Sequence, residues 1–117
     1  MRGLRFTKAI ELLDAGCLLR GTYLVREYNV LDKSYYPVLC LVYKSNGRYV
    51  VYYKHRGKFK TRRKLSESDF INLGTNEKRL RHLTLLEISW NKKSLASIYQ
   101  KIKEAHHVKR TLSSYYR

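Results

Sequence analysis

Residues Val38–Lys64 read VLCLVYKSNGRYVVYYKHRGKFKTRRK. Val38–Lys44 is an apolar run of strand-favouring residues. Asn46-Gly47 follows it, a strong local signal for a two-residue hairpin. Arg48–Lys54 is a second strand, rich in Val and Tyr. His55-Arg56-Gly57 reads as a three-residue turn with Gly57 supplying positive φ, and Lys58–Lys64 as a third strand. The stretch predicts a three-stranded antiparallel meander.

Side chains alternate across a strand, so turn length sorts them into faces. A two-residue turn sets Val42 opposite Val51 and Cys40 opposite Tyr53. A three-residue turn sets Tyr53 opposite Phe59 and Val51 opposite Thr61. One face then holds Val38, Cys40, Val42, Val51, Tyr53 and Phe59, apolar enough to pack on helices. The other holds Leu41, Tyr43, Arg48, Val50, Tyr52, Lys54, Lys58, Lys60, Arg62 and Lys64. In that register Lys54 stands across from Lys58 and Arg48 across from Lys64. Each like-charge pair costs about a few tenths of a kcal/mol. A face that keeps such pairs calls for an anionic partner.

Outward from the meander, Thr7–Ala15 predicts a short helix. Thr7 caps it, Phe6 serves as an apolar staple, and Gly16 closes it in the left-handed conformation. Cys17–Arg20 and Thr22–Tyr28 predict a strand interrupted at Gly21, and Asn29–Tyr36 a polar connection. Ser66 with Glu67 and Asp69 opens a second short helix through Ile71, stopped near Gly74. Leu80–Trp90 suits a helix or a strand. Ser94 caps a longer helix, Leu95–Lys109, with Leu95, Ile98, Ile102 and Ala105 as its stripe. The expected fold is α+β: a single domain over 1–117, with an antiparallel meander packed by one face on the short N-terminal and longer C-terminal helices. Residues 111–117 are expected to form a frayed basic tail.

The chain has 25 Lys and Arg against 9 Asp and Glu, a formal net charge of +16 over 117 residues. The excess is concentrated. Residues 33–66 carry ten basic side chains and no acid, and 101–117 carry five against one. Seven of the eleven positions from Lys54 to Lys64 are basic. Protecting an edge strand from aggregation takes one or two lysines. The larger number points to a polyanion, with tyrosines interleaved to stack on bases or pack along sugars. The candidate nucleic-acid-binding residues are Arg48, Tyr52, Lys54, Arg56, Lys58, Lys60, Arg62, Arg63 and Lys64. DNA and RNA both remain open.

Enzymatic chemistry is not expected. His55, His82, His106 and His107 are scattered, and the last two point about 100° apart on a helix. No CxxC or HxxxH spacing joins Cys17 and Cys40 to them as metal ligands. The acids are dispersed, and no phosphate-binding glycine loop or nucleophile elbow is present. No catalytic residue, metal or cofactor is assigned. Two cysteines are too few for a disulfide framework. Cys17 and Cys40 are expected to be reduced and buried, in a cytoplasmic protein with no membrane partner.

Phe6-Thr7-Lys8-Ala9-Ile10-Glu11-Leu12-Leu13-Asp14-Ala15-Gly16, a helix running into strands and a hairpin, resembles the opening of small phage-encoded anti-defence proteins. Some of these resemble nucleotide-signal sponges and others anti-CRISPR proteins. The likeness covers about the first 55 residues. A Trp common after that helix is replaced here by Tyr23 and Tyr28. The resemblance implies a viral accessory protein acting in the host cytoplasm. It adds two alternatives to direct nucleic-acid binding: an inhibitor docking on a host nucleoprotein complex, and a binder of a small anionic nucleotide.

Overall fold

The computed structural model describes residues 3–28, 33–55 and 57–104, with side chains described for all of these except 27, 28, 33, 55 and 58–62. The elements run α1 (Phe6–Asp14), β1 (Leu18–Tyr28), β2 (Lys33–Ser45), β3 (Arg48–His55), β4 (Lys58–Leu65), α2 (Glu67–Thr75) and β5 (Leu80–Glu87). A 3-10 turn over Lys92–Ser94 then leads into α3, helical over 95–104. The strands form one antiparallel sheet in the order β4-β3-β2-β1-β5. This is an α+β fold with an N-terminal and a C-terminal helix, as the periodicities predict. The ambiguous stretch from Leu80 is a strand, and it completes the sheet beside β1.

The first hairpin is as expected. Ser45 pairs with Arg48, and Asn46 and Gly47 take φ of 51° and 73° between them. Two successive positive φ values match the right-handed twist of the strands, and Gly adopts them without a steric cost. Val42 opposite Val51 and Cys40 opposite Tyr53 are also observed.

The second hairpin departs from expectation. His55 pairs with Lys58, so two residues separate the strands, not three. Lys54 stands across from Phe59, Tyr53 from Lys60 and Tyr52 from Thr61. The register then shifts, because Val51 pairs with Arg63 and Val50 with Lys64. Arg62 is the extra residue of this bulge. The expected Lys54–Lys58 and Arg48–Lys64 oppositions therefore do not form. A one-residue change in turn length moves a strand's whole set of side chains across the sheet, and a bulge moves part of it back.

Helices cover both faces of the sheet. On one face lie α1 and α2, closing a core of Leu19, Tyr23, Cys40, Val42, Val51 and Leu83 with Leu13, Phe70 and Leu73. Phe70 stacks on Tyr49, with centroids 5.1 Å apart and planes 19° apart, and tilts against Phe6 at 5.4 Å. Phe6 itself lies over Gly74. A Cβ there would collide with the Phe6 ring, and α2 ends one residue later, at Thr75, close to the expected stop. On the opposite face, Leu95 and Tyr99 of α3 pack on Leu18, Leu41, Tyr43 and Val50. This corrects the expectation that both outer helices share one face. Leu41, Tyr43 and Val50 are at most 2% exposed, on the side read from alternation as open.

Helix starts differ in detail. Arg5 precedes α1 without a side-chain cap, so Thr7 is inside the helix, whereas Gly16 is left-handed as expected, at φ 90°. Ser66 caps α2, its Oγ accepting from the Asp69 amide at 3.3 Å. Asn91 starts the final helical segment by accepting from the Lys93 amide at 3.1 Å. β1 passes through Gly21 unbroken. The irregularities lie on β5, which takes two extra residues against β1 and holds His82 at φ 55°. Residues Ala105–Lys109 of the expected last helix and the tail 111–117 lie outside the described residues.

Candidate nucleic-acid interface

β4 is an edge of the sheet and holds most of the candidate residues. Lys58 and Lys60 occupy β4 positions opposite His55 and Tyr53, and Arg62 sits at the bulge. Arg63 is half-buried and pairs with Val51, which puts it on the α1/α2 side. Its charge acts on the Tyr23 hydroxyl of that core. Lys64 is exposed and pairs with Val50, on the α3 side. Arg48, two residues from Val50 along β3, shares that side and is also exposed. Arg56 lies outside the described residues. The candidate cations thus flank both sides of one edge and do not form one flat face.

The tyrosines of the candidate face are packed. Tyr43 is 1% exposed and tilts against Trp90 at 4.5 Å. Tyr52 is half-buried in the α3 cluster, and burial raises its phenol pKa. Tyr99 is pushed up by burial too, against the Lys54 backbone amide that donates to its hydroxyl. That bond ties α3 to the end of β3. Lys54 is half-buried beside it. Among the tyrosines with described side chains, only Tyr35, at 47%, is openly exposed.

Sequence reasoning missed two contributions. Lys101 and Lys103 are exposed on α3, and the helix lies on the sheet face that carries Arg48 and Lys64. The placement of α3 on that face depends on tertiary docking, and nothing local encodes it. Lys44, by contrast, leaves the basic set. Its Nζ lies 2.8 Å from Asp14 Oδ1, which also accepts from the Tyr49 hydroxyl at 2.7 Å. Lys44 and Tyr49 together hold the Asp14 carboxyl below its usual 3.8.

Arg79 has a structural post. It donates to the Leu24 carbonyl at 3.1 Å and the Tyr23 hydroxyl at 2.9 Å, with its guanidinium 5.1 Å and 5.4 Å from the Tyr23 and Tyr35 rings. Cys17 and Cys40 are free thiols and buried, and Gly21's amide opposes a strong upward push of burial on the Cys40 pKa. Among the described residues no three His, Cys, Asp or Glu side chains group as a metal site. No helix among them is long and apolar enough to cross a membrane. No family model, curated protein or solved structure gives a significant match to the chain.

Proposed function

We propose that the chain is a nucleic-acid-binding protein that holds a phosphate backbone along the β3–β4 edge. The observation that carries this reading is the acid-free run of ten basic residues at 33–66, most of which stand on two adjacent strands at one edge of the sheet. Lys101 and Lys103 are exposed on α3, the helix on the sheet face that carries Arg48 and Lys64. Lysine and arginine on a rigid strand attract phosphates and release condensed counterions, and that term is independent of base sequence.

The test replaces Lys58, Lys60 and Arg62 together by Ala. Binding to nucleic acid should weaken, and the slope of log affinity against log salt should flatten by about two to three units, roughly one per lost phosphate contact. The lysines of α3 are unsuitable as a control because that helix lies on the sheet face that carries Arg48 and Lys64. Arg5, Lys8 and Lys78, on and near the opposite helical layer and β5, carry the same charge elsewhere. Equal loss from the two triples would reduce the effect to net charge. Binding that requires a host protein, or thermal stabilisation by one small nucleotide, would replace this reading with a docking or pocket function.

A further inference from the structure

Nucleic acids without a complementary strand are held largely by stacking of bases on exposed aromatic rings, each worth about 1–3 kcal/mol. Duplexes offer no free base faces. They present two phosphate strands on either side of a groove and a higher charge density, one charge per about 1.7 Å of axis. The two ligands therefore ask for different surfaces.

The described surface matches the second. Tyr43, Tyr49, Tyr53 and Tyr99 are all under 10% exposed, and the openly exposed one among the described tyrosines, Tyr35, stands on β2 with the Arg79 guanidinium 5.4 Å from its ring. α3 lies over the sheet face on which Tyr43 and Tyr52 would have formed a stacking platform. What the β4 edge presents instead is charge on two sides. Arg63 is on the α1/α2 side, and Arg48 and Lys64 are on the α3 side. Arg63 and Lys64 are neighbours on β4, so alternation puts them on opposite sides, and the bulge at Arg62 sets which of the two falls on which. A single phosphate strand can be followed from one side of an edge. Cations on both sides suit an edge set along a groove, with a phosphate strand to the left and another to the right.

We infer that the ligand class is double-stranded nucleic acid, read through its two backbones without base stacking. This deepens the function proposed above and rests on it. The experiment measures the full-length protein against duplex DNA, duplex RNA and a single strand of matched length, over a series of salt concentrations. Duplex should bind about tenfold or more tighter than the single strand at low salt, with little dependence on base sequence. The preferred duplex identifies the source, DNA or RNA. Arg63→Gln and the pair Arg48→Ala with Lys64→Ala should each flatten the duplex salt slope, by about one and about two units. Melting curves exclude misfolding of the half-buried Arg63 variant, and the wild-type preference tests the inference without any variant.

A single strand that binds as tightly as duplex would overturn the inference and leave nucleic-acid binding standing. So would a loss confined to one side of the edge. If Tyr43→Ala or Tyr52→Ala then abolished single-strand binding, α3 would have to leave the sheet when ligand arrives. Binding to none of the three probes would overturn both the inference and the function it rests on.

Discussion

Asp14 ends α1, where the negative end of the helix dipole disfavours a carboxylate. Lys44 and Tyr49, reaching from β2 and β3, reverse that preference at 2.8 Å and 2.7 Å. The contact anchors the first helix to the central strands and neutralises one charge of the basic segment. Its pH signature follows from the sign of the shift. The folded carboxyl titrates below 3.8, so its stabilising contribution is present above that value and is lost as pH falls through the folded pKa. Asp14→Asn should lower the melting temperature at neutral pH by an amount that stays level down to about pH 4 and then shrinks. A gap between wild type and variant that persists unchanged into strong acid would mean that the ion pair contributes nothing. The Lys44 and Asp14 side chains are a third to a half exposed and solvent screens the pair, so the effect should be modest.

At the scale of elements, α3 decides which surface is available. Leu95 is 4% exposed and Tyr99 2%, whereas Ile98 and Ile102 are only partly buried. Leu95→Ala should therefore cost about 2–5 kcal/mol, and Ile102→Ala distinctly less. Denaturant unfolding of the two variants checks the order, and no loss from Leu95→Ala would mean that α3 is not docked. The Asn46-Gly47 turn, the Ser66 cap and most of the elements were legible because each depends on a few adjacent residues. The assignment of faces was not. Val38–Tyr43 is a continuous apolar run, the pattern of a strand buried on both sides, and it was read as one-sided because Tyr43 and Tyr52 suit an exposed face equally well. Turn length and the bulge at Arg62 were also out of reach. Both are set by how β4 meets β3 and α2, which no local pattern in KFKTRRKL encodes. The basic character of the site was legible from charge counting alone, but its two-sided arrangement was not.

At the scale of the whole molecule, a chain of 117 residues carries +16, and its fold is small, with a radius of gyration of 15.0 Å. The Debye length is about 30 Å at 0.01 M salt and about 10 Å at 0.1 M. At the lower concentration nearly every cation repels every other, and at the higher one only neighbours do. Salt therefore has two opposed effects on this protein. For the free chain it screens self-repulsion, so the melting temperature should rise between 0.01 M and 0.1 M. For the complex it weakens phosphate binding, so the stabilisation conferred by ligand should fall. Duplex at a hundred times its Kd adds about 2.7 kcal/mol, which for a domain of this size raises the melting temperature by roughly 10 °C. At fixed duplex concentration, the free and bound melting curves should converge as salt increases, the first moving up and the second down. Differential scanning fluorimetry with and without duplex across a salt series measures both at once. A gap that is constant with salt would show that ligand is held by something other than phosphate charge. A free protein whose melting temperature ignores salt would show that its cations lie too far apart to act as one electrostatic surface.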